Sequence, residues 1–168
     1  MPSPSALPLT LDDADLITAL ANTIWYKHYP RIISTEQIEY MLNQRYRPAL
    51  IRTQILGHNT YWKKLVLNKK IIGFSCCVLT DYPKEIKLDK LYLHPHHQRK
   101  GYGAILTDDI KQFMRHHVFE KLILTVNKNN TSAIAAYLRY GFKKSDGIVI
   151  HIGNGFVMDD YLMTMIIK

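Results

Sequence analysis

A chain of 168 residues with 47% hydrophobic content is long and apolar enough for one domain with a real core, which excludes a disordered chain. Its formal net charge of +8 suits a polyanionic partner such as nucleic acid, an anionic membrane or a phosphate-rich cofactor. No apolar run approaches the ~18 residues that span a bilayer, and residues 1–8 lack a basic-then-apolar leader pattern, so a cytoplasmic protein is expected.

The expected organisation is a single domain over residues 1–168, with 1–8 a loose tail and 9–11 a short strand. Asp12 or Asp13 can cap a helix through Leu16, Ile17, Leu20 and Ile24, reaching Trp25 and Tyr26 and ending near Pro30. Ser34 and Gln37 stand at capping-box spacing ahead of a second helix, whose apolar face is Ile38, Met41 and Leu42. Pro48 opens a short third helix with Leu50 and Ile55 inward and Gly57 near its end. The periodicity then changes. Residues 61–67 and 71–80 read as strands around Asn68-Lys69-Lys70, and 84–93 as a third after Asp81-Tyr82-Pro83. Cys76 and Cys77 are neighbours on a strand and project to opposite faces, which argues against a disulfide between them.

Residues 101–117 read as a helix and 121–126 as an aliphatic strand, so a parallel crossover onto the same sheet is expected. A polar loop, 127–130, leads to a helix over 131–140 that Gly141 stops. Residues 148–152 and 157–167 form an antiparallel pair around Gly153-Asn154-Gly155. This order predicts an α+β fold: a mixed, mostly antiparallel sheet with one parallel crossover and flanking helices. Its ligand site should lie where strands diverge.

Residues 88–104 carry the strongest chemical signal. A buried strand ends at His94-Pro95, and Gln98-Arg99-Lys100-Gly101-Tyr102-Gly103-Ala104 turns directly into the helix. First-turn N–H groups have no partner within a helix, and the helix dipole adds positive potential there, which suits a phosphate. Gly101 and Gly103 let backbone approach the ligand, while Arg99 and Lys100 add charge. His94, His96 and His97 flank Pro95 without a zinc-ligand spacing, so they are read as a polar rim and no metal is expected.

Residues 98–103 match the pyrophosphate-loop pattern Q/R-x-x-G-x-G/A of the GNAT N-acetyltransferases, and residues 90–95, KLYLHP, are similar to the family strand ending LYV-x-P. Asn130 to Tyr137, followed by Gly141-Phe142, resembles the family's second signature, N-x-x-A-x-x-x-Y…GF. The resemblance covers roughly residue 61 to the C-terminus. Residues 38–46, IEYMLNQRY, and 158–163, MDDYLM, look like the PaiA-type spermidine/spermine acetyltransferase branch.

This resemblance implies splayed strands with a V-shaped gap between 84–93 and 121–126. It implies acetyl-CoA as co-substrate and direct acetyl transfer to a primary amine: a polyamine, another small amine or a peptide amine. No nucleic-acid or membrane partner is expected, and a homodimer is allowed. Backbone N–H groups of Gln98, Arg99, Lys100, Gly101, Tyr102, Gly103 and Ala104 would hold the pyrophosphate. The edges of Leu91 and Leu93 would pair with the pantetheine amides like an added strand, and an N–H near Leu93 would polarise the thioester carbonyl. Asn130 would bond the cofactor. Tyr137 would be the general acid, since a phenol of reference pKa about 10 can protonate a departing thiolate. Tyr140 is read as packing.

The base departs from the family pattern. The usual Glu, four residues before Leu91, is Lys87 here. Glu85 and Asp89 lie two residues to either side, on one face by strand period, and are the candidate bases. Glu36, Glu39, Asp159 and Asp160 could attract a cationic amine, with only one of the adjacent pair 159/160 able to face a cleft. Trp25, Tyr26 and Tyr40 are read as core rather than as an amine cage. The missing Glu motivates a non-catalytic acyl-CoA sensor as an alternative, and a protein N-acetyltransferase is another. Nucleic-acid binding rests on charge alone, without a helix-turn-helix, zinc-finger or RNA-binding aromatic motif.

Overall fold

The structure is a computed structural model describing residues 1–168. In chain order the elements are β1 (Ser5–Pro8), α1 (Ala14–His28), α2 (Thr35–Arg45), α3 (Pro48–Leu56), β2 (Thr60–Leu67), β3 (Lys70–Leu79), β4 (Glu85–Leu93), α4 (Tyr102–His116), β5 (Lys121–Asn127), α5 (Thr131–Tyr140), β6 (Lys143–Gly153) and β7 (Phe156–Ile166). All seven strands form one sheet in the order β1-β2-β3-β4-β5-β7-β6. Only β4 and β5 pair in parallel, joined by the α4 crossover. No helix is long and apolar enough to cross a membrane.

The sheet divides the core in two. On one face α1, α2 and α3 bury Ile17, Ile24, Trp25, Ile38 and Ile51 against Trp62, Phe74 and Cys76. On the other, α4 brings Ile110 and Met114 against Cys77, Ile86, Leu88, Leu122 and Met163. Cys76 and Cys77 are therefore free thiols on opposite sides of the sheet, as strand geometry demands. Burial pushes the Cys76 thiol up to about 12, so neither residue is a nucleophile in waiting.

Several expectations are corrected. Residues 5–8 are no tail: β1 pairs antiparallel with β2 from Ser5 opposite Val66 to Pro8 opposite Lys63. It is an edge strand, where the missing N–H of Pro8 can face away from the ladder. Residues 9–11 form no strand: 9 and 10 lie outside any element, and Leu11 opens a 3-10 turn, Leu11–Asp13. In α1 the inward face is Ala14, Ile17, Leu20, Ala21, Ile24 and Trp25, while Leu16 is 59% exposed. β6 begins at Lys143, before the expected 148, because breaks in register near Gly147 and Gly153 hide its alternation.

The feature that positions the site is a β-bulge in β4. Cys76 pairs with Lys90 but Cys77 pairs with Leu88, leaving Asp89 as an extra residue. Ile86 and Leu88 point to the α4 side. Beyond the bulge the even-numbered residues change sides: Tyr92 packs with the α1–α3 core and Lys90 lies over Tyr46 and Trp62, at 5.5 and 5.1 Å from the ring centres.

Candidate active site

β4 and β5 pair only between Glu85–Lys87 and Lys121–Ile123, and then part. The V-shaped gap expected from the sequence is present. It opens a cleft of about 960 Å³ lined from both halves of the core, by Trp25, Tyr29, Met41 and Arg45 on one side and Ala133, Ala136, Tyr137 and Tyr140 on the other.

The β4 rim of the gap carries unused backbone. His94 donates its N–H to the Ile72 carbonyl at 2.8 Å. Alternate residues in an antiparallel ladder address the same neighbour, so Leu91 and Leu93 face the gap. The Gln98 side-chain amide donates to the Leu93 carbonyl at 3.1 Å and folds the following turn back onto the strand. Leu91, Leu93 and Gln98 all line the cleft, as expected.

The turn into α4 is a nest of donors. Arg99 (φ +60°) and Gly101 (φ +79°) are both left-handed. An αL residue turns successive N–H groups toward one point, and a non-glycine held there stores about 1–3 kcal/mol of strain. The N–H groups of Arg99, Lys100, Gly101, Tyr102 and Gly103 have no acceptor within the chain. The expected set of seven therefore shrinks to five, because Gln98 donates to Pro95 (3.4 Å) and Ala104 to Gly101 (3.2 Å). Neither Lys100 nor Ala104 lines the cleft. Gly103 is needed for space: a Cβ there would lie 2.2 Å from the Tyr140 hydroxyl oxygen. Tyr140 is thus packed across the nest, consistent with its reading as a packing residue.

Asn130 is buried at the head of α5, within hydrogen-bond distance (2.9 Å) of His28 Nε2 on α1. This contact ties the two halves of the cleft together. Tyr137 lines the cleft seven residues on, its ring edge-on to Phe142 at 5.5 Å. Burial, reinforced by Tyr92 and Tyr140, raises its phenol well above the usual value, so it keeps its proton at any physiological pH. Tyr29 and Tyr92 share a hydrogen bond of 3.0 Å beside it. Trp25 and Tyr40 are partly or wholly core, as expected, whereas Tyr26 is 46% exposed and faces neither core nor cleft.

The carboxylates sort differently from the sequence expectation. Glu85 sits where β4 and β5 are still paired, ion-paired to Lys121 at 3.0 Å and outside the cleft. Six strand residues separate it from Leu91, roughly 20 Å along the chain. It is not placed to act as the base. Asp89 does line the cleft, but it is bound to Arg45 (3.1 Å) and to Lys90. Burial alone would raise its carboxyl, yet these cations outweigh it and hold the group well below the usual range, which makes it a poor base. The bulge also takes Asp89 off the face shared by Glu85 and Lys87, because the two-residue period does not run through it.

Asp160 is the acidic group without a role elsewhere. It is 0% exposed, lines the cleft from β7, and neither carboxylate oxygen has a hydrogen-bond partner. Burial is the main cause that lifts its carboxyl to about 6; the nearby Thr125 hydroxyl is the largest influence against it, Lys87 and Arg45 also pull down, and Asp159 adds to the rise. Only one of the adjacent pair faces inward, as strand geometry requires: Asp159 is exposed and ion-paired with Lys128 at 2.7 Å. On sequence alone Asp160 stands only as a group that could attract an amine. Its spacing two residues beyond Met158 on an alternating strand was the available signal.

The acetyltransferase (GNAT) family model matches residues 18–142. A spermidine N(1)-acetyltransferase of Thermoplasma acidophilum is 24% identical over 155 residues, covering 90% of this chain and 92% of that protein. Among solved structures, the PaiA N-acetyltransferase of Thermoplasma acidophilum in complex with coenzyme A superposes with a TM-score of 0.84 at 22% identity, over 96% of this chain and 98% of that one. A GCN5-related N-acetyltransferase of Rhodopseudomonas palustris gives 0.82 at 19% identity, over 98% and 96%. At these identities the two structures establish a shared fold.

Proposed function

We propose, from the premise that this chain belongs to the acetyltransferase (GNAT) family, that it moves the acetyl group of acetyl-CoA to a small primary amine by direct attack. One observation carries this reading. A single cleft brings the unpartnered N–H groups of Arg99, Gly101, Tyr102 and Gly103 at the α4 N-terminus together with a protonated phenol and a buried carboxylate that no side chain pairs. Similarity to a protein named spermidine N(1)-acetyltransferase and to a fold neighbour in complex with coenzyme A supports both substrate classes.

Acetyl-CoA supplies the activated thioester. The N–H groups of Arg99 to Gly103 suit its pyrophosphate, and the free edge of β4 at Leu91 and Leu93 suits an amide-bearing arm laid alongside it. The Leu93 N–H faces the gap and can donate to the developing oxyanion. Asp160 takes a proton from the incoming ammonium, so that the free amine attacks as the new C–N bond forms. The C–S bond breaks, and Tyr137 gives its phenolic proton to the departing sulfur. Solvent then restores both groups.

The test is thiol release from acetyl-CoA over polyamines, N-terminal peptides, lysine peptides and aminoglycosides. Tyr137→Phe should lower kcat on the order of a hundredfold or more while acetyl-CoA affinity is kept. Unchanged turnover would remove Tyr137 as the acid. Acetyl-CoA binding with no turnover of any amine would replace the enzyme with an acyl-CoA sensor.

A further inference from the structure

The acceptor half of the cleft carries information beyond the reaction type. A polyamine brings two or more ammonium groups, and each one taken out of water needs its own anion. The cleft holds only two carboxylates, Asp89 and Asp160. Asp89 is already neutralised by Arg45 and Lys90. Glu36 and Glu39 are exposed on α2 and do not line the cleft, and Asp159 is occupied by Lys128. One free anion remains.

The surroundings of that anion are apolar and cationic. Met158 lies on its strand face two residues away, with Ile150 paired opposite Met158, and Met41 and Ile152 continue the wall. The amides of Gln37 and Gln44 are turned onto backbone, Gln37 to the Val157 carbonyl at 2.9 Å and Gln44 to the Ile152 carbonyl at 3.4 Å. Lys87, with no ion-pair partner, also lines the cleft and would repel a second ammonium.

We infer that the acceptor carries a single ammonium, which meets Asp160, on an apolar body that lies against Met41, Ile150, Ile152 and Met158, so the cleft selects monoamines over diamines and polyamines. This inference rests on the transferase reading above. It places the amine nitrogen at Asp160 and the body along the α2 and β6–β7 wall. Tyr40 fixes that wall by donating its hydroxyl to the Ile152 carbonyl at 2.6 Å.

The experiment measures kcat/KM by thiol release for length-matched pairs, hexylamine against 1,6-diaminohexane and nonylamine against spermidine. It is repeated on Gln44→Glu, which adds an acidic group at an exposed position of the acceptor wall. The expected result is at least a tenfold preference for the monoamines in the wild type, and a several-fold shift of that ratio toward the diamine in Gln44→Glu. Equal or better use of spermidine by the wild type would overturn the inference and leave the transferase standing. A monoamine preference that Gln44→Glu does not move would also overturn it, since the tail would then lie elsewhere. Failure of every amine in the presence of bound acetyl-CoA would remove the transferase reading, and the inference with it.

Discussion

Replacing Asp160 with Asn separates a catalytic role from a structural one, because the two predict opposite signs. The wild-type carboxyl titrates at about 6 in the folded chain against 3.8 as an ordinary Asp. A folded-state value raised in this way means that the folded protein binds the proton more tightly than the unfolded chain does. Stability is therefore highest where both states are protonated and falls as pH rises through the window from about 4 to 6. Above that window the cost is about two pKa steps, or roughly 3 kcal/mol; at pH 5 it is about half as large. Asp160→Asn removes the titration and keeps the shape. The variant should therefore be more stable than wild type by up to about 3 kcal/mol at pH 8, with that advantage roughly halved at pH 5. Urea unfolding at the two pH values measures both numbers. In parallel, wild-type kcat/KM should rise with pH through about 6 as the base ionises, and the variant should be slow and lack that limb. A variant that is less stable than wild type, or whose advantage does not change with pH, would refute the claim that a desolvated carboxylate faces this cleft.

Two further substitutions test the supports of the site. Gly103→Ala should destabilise the chain by about 1–3 kcal/mol, since its Cβ meets the Tyr140 hydroxyl at 2.2 Å while the next ring atom is 3.3 Å away. Adding Tyr140→Phe should restore most of the loss, and a denaturation series on the single and double variants that finds no recovery would disprove the contact. Asp89→Asn leaves Arg45 and the buried Lys90 without their counter-ion, and should cost about 3–5 kcal/mol at neutral pH. The Asp89 carboxyl is held below its ordinary value of 3.8, so its contribution is present above that pH and lost on acidification below it. The gap between wild type and variant should narrow progressively as pH falls below about 4, and a gap of the same size at pH 4 and pH 2 would point to packing rather than charge.

Much of this architecture is legible in the residues because local and global signals agree. β5, α4 and α5 sit within a residue of expectation: their apolar periods are regular, and Gly101 and Gly141, both left-handed, mark a start and a stop. The nest at residues 99–103 is legible for the same reason, since its geometry is set by its own sequence. What escapes is non-local. β1 exists because β2 offers it an edge, which no property of Ser5–Pro8 announces. The Asp89 bulge arises from pairing with β3, so period counting wrongly grouped Glu85 with Asp89. The raised carboxyl of Asp160 is a property of the cavity that surrounds it, and Lys87 in the place of a family glutamate gave no hint that the sheet would supply an acid from β7 instead.

The single residue inserted at Asp89 behaves as a frameshift in the two-step beat of a strand. Counted straight through, the position four before Leu91 shares its face; counted in the folded chain, Lys87 looks to the opposite side, because the frame changes between them. Residue-by-residue comparison along β4 therefore has two frames, one valid up to Leu88 and one from Lys90. The same arithmetic bears on how this gene can drift. Deleting Asp89 itself would leave Leu88 and Lys90 adjacent opposite Cys77 and Cys76, so the ladder would close without the kink and Ile86 and Leu88 would keep the α4 side. What such a deletion removes is the carboxylate that neutralises Arg45 and the buried Lys90, so its cost is one of charge rather than of register.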